Sequence, residues 1–114
     1  MKKISLIFFI LIFIYCCGSG KPKVKILSIE SKGCHFCEEQ QKIFEELKQK
    51  YKNKIIIEVH LIDDPDGLSY ADKYGVTKFP TNIFLDNKGN VIFRADGLLK
   101  KETIIKVLNV IGVK

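Results

Sequence analysis

Two cysteines separated by two residues, Cys34 and Cys37, are the side chains best suited to chemistry in this sequence. An apolar run typical of a strand, residues 24–29, precedes them, and apolar residues recur at helical spacing from residue 43 to residue 51. The pattern therefore predicts a dithiol at a strand-to-helix turn. There, free backbone N–H groups and the positive end of the helix dipole favour the thiolate, which is the form that attacks disulfides.

The spacing of the pair predicts what the two sulfurs do together. Two intervening residues place the second sulfur about one helical turn from the first, within reach of a disulfide bond. Cys34 is thus the predicted attacking cysteine, and Cys37 is the one that resolves the mixed disulfide with a client. We expect both to be catalytic, and we expect no bound cofactor besides the reversible disulfide between them.

The residues around the pair are candidates for tuning its redox chemistry. A protonated His35 favours the Cys34 thiolate, whereas Glu38 and Glu39 oppose it. Alternatively, His35 faces solvent without that role, and Phe36 is either an apolar contact for the substrate or a cap on the helix. Because dithiols of this kind have potentials from about −270 to −120 mV, the direction of electron flow stays open.

The composition is typical of a folded globular chain: 46% of the 114 residues are hydrophobic, and the net charge is +6. The first 20 residues have the pattern of a targeting segment, which leaves residues 21–114 for a single domain. Without Lys2 and Lys3 the net charge is about +4. Lysines alternate with acids along the helical stretches, so we expect no nucleic-acid binding and only weak attraction to an anionic membrane surface.

The N-terminal segment, residues 1–20, has the charged start and short apolar middle of a secretory signal. Residues 4–17 are fewer than the about 20 apolar residues that an ordinary membrane span requires. Cys16-Cys17 followed by Gly18-Ser19-Gly20 resembles the end of a bacterial lipoprotein signal, so Cys17 is the lipidation candidate, although Tyr15 departs from the usual pattern. The alternatives are removal of the whole segment or its retention as an anchor. Each alternative predicts an extracytoplasmic domain, periplasmic or at the cell surface, and we expect attachment to the membrane.

Hydrophobic periodicity and turn residues divide the domain into elements in the order β-α-β-α-β-β-α. The predicted strands are residues 24–29, 55–62, 81–85 and 91–94, and the predicted helices end near residue 51, at Gly75 and near residue 111. The nearly continuous apolar run at 55–62 predicts a central strand covered on both faces. The turn-rich segment 86–90 predicts an antiparallel hairpin between the last two strands.

The dithiol turn, the element order and the segment Lys73-Tyr74-Gly75-Val76-Thr77-Lys78-Phe79-Pro80-Thr81 together resemble the thioredoxin family, over roughly residues 24–114. The resemblance implies an α/β thioredoxin-like fold with a central four-stranded mixed sheet flanked by helices. It also implies a cis peptide bond before Pro80, which would lie against the dithiol. In the family, the backbone around this proline holds an extended substrate chain, so Phe79 and Pro80 are the candidate substrate-binding residues.

Three departures from the family pattern bear on the chemistry. Lys32-Gly33 stands before the dithiol where thioredoxins proper carry a tryptophan, and His35-Phe36 replaces their Gly-Pro. Ser28 occupies the position of their buried acid, and Glu30 is only an approximate substitute. The chain is therefore not expected to be an ordinary thioredoxin.

The strand predicted at 55–62 offers two further candidates for proton transfer. Glu58 and His60 share one face of that strand by its two-residue period, and either would suit proton transfer if it lay beneath the dithiol. The favoured interpretation is instead a contact at an edge or under a lid.

The sequence thus predicts an extracytoplasmic thiol:disulfide oxidoreductase that reduces or exchanges disulfides of exported proteins. The expected partners are those client proteins and an upstream electron donor or acceptor protein, and we expect a monomer. One alternative is a disulfide-introducing oxidase of the same fold. Others are a zinc- or copper-binding module that uses the dithiol with His35 or His60, and a redox-inert interaction domain.

Overall fold

The computed structural model of the protein describes residues 22–114, so the predicted N-terminal segment and its Cys17 lie outside the described residues. The strands are β1 Val24–Glu30, β2 Ile55–Leu61, β3 Thr81–Asp86 and β4 Val91–Asp96. The α-helices are α1 His35–Tyr51, α2 Pro65–Tyr74 and α3 Lys101–Val110, and a 3-10 turn, Lys52–Lys54, follows α1. The predicted order of elements is therefore confirmed.

The strands form one mixed sheet in the order β2-β1-β3-β4, as the predicted fold class requires. β1 pairs with β2 in parallel and with β3 antiparallel, and β3 and β4 form the predicted antiparallel hairpin. β1 and β2 therefore finish at one end of the sheet and begin at the other. The dithiol end consists of segments 31–39, 62–68, 77–80 and 96–100. The opposite end consists of segments 22–24, 50–55, 86–91 and 112–114.

The expectation of a central strand at residues 55–62 is wrong, because β2 lies at an edge of the sheet. Ile56 and Val59 are 40% and 38% exposed, and the strand also carries Glu58 and His60. An apolar run indicates that a segment forms a strand. The position of that strand within the sheet depends on pairing with segments that are distant in the sequence. The central strand on this side is β1, which is buried almost throughout.

The two faces of the sheet carry separate apolar clusters. The larger cluster lies beneath α1 and α3 and comprises Val24, Ile26, Phe44, Leu47, Tyr51, Ile55, Phe84, Leu99, Ile104, Leu108 and Val113. The smaller lies beneath α2 and comprises Leu27, Ile29, Ala71, Val76, Ile83 and Leu85. Because successive strand residues point to opposite faces, the side chains of Ser28 and Glu30 lie on the α1 face.

Local sequence accounts for where the helices begin and end. Acidic Glu38 lies in the first turn of α1 and Lys48 and Lys50 lie in its last, as the helix dipole favours. Gly75 ends α2 with a φ of +62°, a conformation that glycine adopts without a steric penalty. Within residues 22–114, no helix is both long enough and apolar enough to span a membrane.

Candidate active site at the start of helix α1

Cys34 and Cys37 form a disulfide at the dithiol end, with their Cα atoms 5.2 Å apart. Cys34 is the N-cap of α1, where its extended backbone conformation connects the loop after β1 to the helix. Cys34 is partly exposed, whereas Cys37 is only 3% exposed. Cys34 therefore carries the outer, more accessible sulfur of the pair, and the roles predicted for the two cysteines stay predictions.

The start of α1 surrounds the outer sulfur with polar backbone groups. The Cys37 backbone N–H donates a hydrogen bond to Cys34 Sγ at 3.1 Å. This bond satisfies one of the N–H groups that lack a partner in the first turn of a helix. When the pair is reduced, the same N–H and the helix dipole stabilise a thiolate on Cys34.

The loop before β3 lies against the dithiol. The Phe79–Pro80 peptide bond is cis, which is the geometry that the family resemblance implied. The Phe79 carbonyl oxygen lies 3.8 Å from Cys34 Sγ. The Gly97 N–H donates to the Pro80 carbonyl at 2.7 Å, and the Thr81 hydroxyl donates to the Lys78 carbonyl at 2.7 Å. These bonds fix the conformation of the loop. Phe79 and Pro80, the predicted substrate-binding residues, are thereby held beside Cys34.

The two residues between the cysteines point into solvent. Phe36 is 57% exposed, and its ring meets the His35 ring edge-on with the centroids 5.8 Å apart. His35 Nε2 lies 3.1 Å from Glu39 Oε1, one turn further along α1. The exposed Phe36 ring therefore lies on the surface beside the partly exposed Cys34, and it does not pack into either apolar cluster.

A buried carboxylate, that of Glu30, lies on the sheet face that α1 covers. It is fully buried at the end of β1 and accepts hydrogen bonds from the Ser28 hydroxyl at 3.1 Å and from Gln41 Nε2 at 2.8 Å. Gln41 follows Cys37 by one turn of α1, so the two side chains share a helix face. Burial raises the pKa of Glu30, against the opposing effect of its two hydrogen bonds. Ser28 stands at the position of the family's buried acid, and in the structure its hydroxyl donates a hydrogen bond to the Glu30 carboxylate.

The possibility that Glu58 or His60 lies beneath the dithiol is wrong. Both side chains are on the sheet face that α2 covers, whereas the dithiol belongs to the α1 face. Glu58 pairs with Lys25 at 2.9 Å and with His60 at 3.1 Å, and the His60 ring packs against Tyr70. The hydrogen bond from Lys25, followed by that from His60, lowers the pKa of Glu58. These contacts confirm the favoured interpretation of a contact at the sheet edge.

Sequence reasoning missed a buried amide network behind the site. Gln40 Nε2 donates to the Leu99 carbonyl at 3.0 Å, and Gln40 Oε1 accepts from the Leu99 N–H at 2.7 Å and from Asn82 Nδ2 at 3.0 Å. Gln40 and Asn82 are both fully buried. The network ties the dithiol helix to the strand that follows Pro80 and to the loop before α3. The available signal was a glutamine within the buried stripe of α1, which also contains Cys37, Phe44, Leu47 and Tyr51.

Metal-binding donor groups were another expectation for the two histidines, His35 and His60. Among residues 22–114, no three or more His, Cys, Asp or Glu side chains are grouped so that they could hold a metal ion. His35 pairs with Glu39, and His60 lies on the other face of the sheet from the dithiol.

Comparison with known proteins gives a consistent result. A family model described as a thioredoxin-like domain matches residues 16–111. A curated relative, the chloroplastic thioredoxin-like protein HCF164 of Arabidopsis thaliana, is 26% identical over 95 residues, which are 83% of this chain. The match covers 36% of HCF164, so the chain spans about a third of the length of that relative.

Solved structures show the same similarity in three dimensions. A thioredoxin-like protein from Clostridium perfringens is 28% identical and superposes with a TM-score of 0.72, covering 84% of this chain and 76% of that one. Thioredoxin-2, a component of the malaria parasite protein secretion machinery, is 25% identical with a TM-score of 0.71, covering 77% and 82% of the two chains.

Proposed function

Because the chain belongs to the thioredoxin-like family, we propose that it is a thiol:disulfide oxidoreductase that works through Cys34 and Cys37. The observation that carries the proposal is the joined pair at the start of α1, with its outer sulfur beside the Cys37 N–H and the Phe79 carbonyl. These are the groups that a thiolate and an extended client chain need.

In the reducing direction, the Cys34 thiolate attacks one sulfur of a client disulfide. A mixed disulfide forms, and the other client sulfur leaves as a thiolate that takes up a proton. Cys37, as its thiolate, then attacks Cys34 Sγ and releases the second client thiol. The client gains two electrons, and the Cys34–Cys37 pair returns to the disulfide. In the reverse direction, the same steps oxidise a client dithiol.

The resolving step requires the buried Cys37 thiol to lose a proton. We assign the exchange of that proton to Glu30, because its carboxylate lies on the α1 face and bonds to Gln41, one turn beyond Cys37. A raised pKa brings a carboxyl group closer to the pH at which it exchanges protons efficiently. Glu58 and His60 face the other side of the sheet and are not assigned this role.

We further propose that the domain acts outside the cytoplasm on exported proteins, as a monomer that exchanges electrons with an upstream protein. The pattern of residues 1–20 supports export, with lipidation at Cys17 as the favoured mode of attachment. We favour reduction over oxidation because no large helical insertion interrupts the described domain, as would be typical of disulfide-introducing enzymes. Mass spectrometry of the membrane fraction tests lipidation directly.

Reduction of insulin disulfides by the full chain in detergent tests the proposed activity. We expect turnover above that of dithiothreitol alone, loss of turnover in Cys34→Ser, and accumulation of mixed disulfide in Cys37→Ser. Cys17→Ser is the matched control and should retain full activity. Wild-type turnover no faster than dithiothreitol alone would contradict the proposal and favour a redox-inert binding domain.

Equilibration against glutathione with trapping of the thiols tests the direction of electron flow. A reduction potential near about −270 mV supports a reductase, whereas one near about −120 mV supports the alternative, an oxidase.

A further inference from the structure

Exposed lysines are concentrated at the opposite end of the domain, away from the dithiol. They come from four separate segments: the residue before β1, the last turn of α1 with the 3-10 turn, the β3–β4 hairpin and the segment after α3. They are Lys23, Lys50, Lys52, Lys54, Lys88 and Lys114, and each is exposed. Their four segments are separate in the sequence, but the pairing of the strands brings them to one end of the sheet.

Only one acidic residue, Asp86, lies in those four segments. Its carboxylate accepts hydrogen bonds from the Lys88 N–H at 2.8 Å, the Asn90 N–H at 2.9 Å and the Asn90 side-chain amide at 3.1 Å. It is therefore engaged within the hairpin turn, and it forms no ion pair with a lysine of this end in the described chain. The opposite end thus presents a predominantly positive surface, with six lysines against one side-chain carboxylate.

At the dithiol end, acidic residues outnumber lysines. Its exposed or partly exposed acids are Glu38, Glu39, Asp63, Asp64, Asp66 and Asp96, against the lysines Lys32, Lys78 and Lys100. The alternation of lysines with acids along the helical stretches therefore does not lead to an even distribution of charge over the domain. The domain is charged oppositely at the two ends of its strands.

The chain enters the domain at the lysine-rich end. The Lys23 N–H donates to the Lys54 carbonyl at 3.2 Å, which fixes the entry point beside the 3-10 turn. The segment just before it, residues 4–17, is apolar apart from Ser5 but is shorter than an ordinary membrane span. A single weak membrane signal, such as one acyl chain, gives marginal, reversible binding, and a basic patch is one kind of second signal that strengthens attachment.

We propose that the opposite end is a docking surface for anionic phospholipid headgroups, which holds the dithiol end away from the membrane. Each lysine near an anionic surface strengthens binding, and the effect decays within a Debye length of about 10 Å. The seven residues of β1 separate the two ends by roughly 20 Å. The acidic residues of the dithiol end therefore lie beyond the range at which the headgroups would repel them.

Anionic lipid fits this surface better than nucleic acid does. Tyr51 is the aromatic residue of the four segments and is only 3% exposed, so no ring is available there to stack on bases. Either attachment considered above, lipidation at Cys17 or retention of the apolar segment, would bring this end to a membrane rather than to a nucleic acid. The proposal does not rest on the redox function, since vesicle binding and insulin reduction are measured separately.

The test compares two triple variants of the full chain that have the same net charge. One is Lys23→Glu, Lys52→Glu and Lys88→Glu at the opposite end. The matched control is Lys32→Glu, Lys78→Glu and Lys100→Glu at the dithiol end. Sedimentation with phosphatidylcholine vesicles, with and without phosphatidylglycerol, measures the ratio of anionic to neutral affinity. Circular dichroism checks that both variants are folded.

We expect the affinity ratio to fall at least about tenfold in the opposite-end variant and to change less than about threefold in the control. High salt should reduce the wild-type ratio to that of the opposite-end variant. Equal losses in the two variants would show an effect of net charge alone and overturn the proposal. Displacement from the vesicles by duplex DNA at lower concentration than by phosphatidylglycerol would overturn it in favour of nucleic acid.

Orientation on the membrane is tested with single tryptophans, because the chain has none of its own. Asn87→Trp reports from the hairpin at the opposite end, and Phe36→Trp reports from the dithiol end. Brominated lipids in anionic vesicles should quench Asn87→Trp and leave Phe36→Trp unquenched. Equal quenching of the two reporters would overturn the proposed orientation.

Discussion

The two ends of the sheet are stabilised by different kinds of contact. The residues with fully buried polar side chains lie in the half of the domain near the dithiol, and they are Ser28, Glu30, Gln40, Thr81 and Asn82. Near the opposite end, the buried residues Val24, Tyr51, Ile55 and Val113 belong to the larger apolar cluster. Directional hydrogen bonds between buried side chains therefore lie near the dithiol. The opposite end, which has no proposed catalytic residue, is supported by non-directional apolar packing.

This difference has a physical rationale. Apolar burial stabilises a fold roughly in proportion to area, but it does not specify an atom's position closely. A buried hydrogen-bond network contributes little net stability when complete, yet its geometry is narrow and its disruption is costly. Variants in the apolar half should therefore change stability without changing the redox chemistry. Variants in the polar half should change both.

The largest effect on stability is expected in the apolar half, from Phe84→Ala. Phe84 is fully buried in the larger cluster and packs edge-on against Phe93, with the ring centroids 5.4 Å apart. Truncation should lower the free energy of unfolding by about 3–5 kcal/mol, measured by urea denaturation of the oxidised protein. The reduction potential of the folded variant should stay unchanged.

Phe36→Ala is the control, since the same truncation at an exposed position should leave unfolding nearly unaffected. Phe84→Leu provides a milder variant if Phe84→Ala does not fold. If the reduction potential of folded Phe84→Ala changed together with its stability, apolar packing would also control the redox chemistry. The two ends would then not differ as described.

The next largest effect is expected from Gln40→Ala in the polar half. The variant leaves the Leu99 N–H and carbonyl and the Asn82 amide without their buried partner, which should cost about 2–3 kcal/mol. Because the network ties α1 to the strand after Pro80, the rate of insulin reduction should also fall under conditions where the variant is folded.

Gln49→Ala is the matched control, because Gln49 is an exposed glutamine on the same helix. It should change neither stability nor rate. If Gln40→Ala lowered stability but left the rate of the folded protein intact, the network would be structural only.

Local patterns in the sequence were sufficient to predict the elements and the dithiol. Strand and helix propensity, the glycine that ends α2 and the turn residues of the hairpin all act within a few residues. The relation of Cys34 to Cys37 is also local, because both belong to one turn at the start of α1.

The features that sequence reasoning missed depend on long-range pairing. The edge position of β2, the contact of Gln40 with Leu99 and the gathering of lysines from four segments each follow from how the strands pair. Glu30 is an intermediate case. Its position near the missing acid was visible, but its bonds to Ser28 and Gln41 were not.

A smaller effect, and one that depends on pH, is expected from Glu30→Gln. Burial raises the pKa of Glu30 in the folded protein, so the native state holds its proton at pH values where the unfolded chain has lost it. Stability contributed by the protonated form is therefore present below the ordinary pKa and is lost as the pH rises through the raised value. The glutamine can accept from Gln41 and donate to Ser28, so both contacts survive.

The measurement is urea denaturation of the wild type and Glu30→Gln from about pH 4 to about pH 8. The variant should gain stability relative to the wild type as the pH rises. Its insulin reduction should also lose the pH dependence that Glu30 confers on the resolving step. Stability curves that stay parallel across this range would show that the carboxyl group titrates normally, and would remove Glu30 from the proposed proton exchange.

The smallest effect is expected from the solvent-facing part of the dithiol end, where His35 pairs with Glu39. The predicted tuning role of His35 is tested by His35→Ala. Because both side chains are largely exposed, water screens their influence on the Cys34 thiolate, and the reduction potential should change by less than about 20 mV. Glu39→Gln, the partner control, should shift the potential in the opposite direction by a similarly small amount. A larger shift in either variant would mean that surface charge, rather than the Cys37 N–H and the start of α1, sets the reactivity of the outer sulfur.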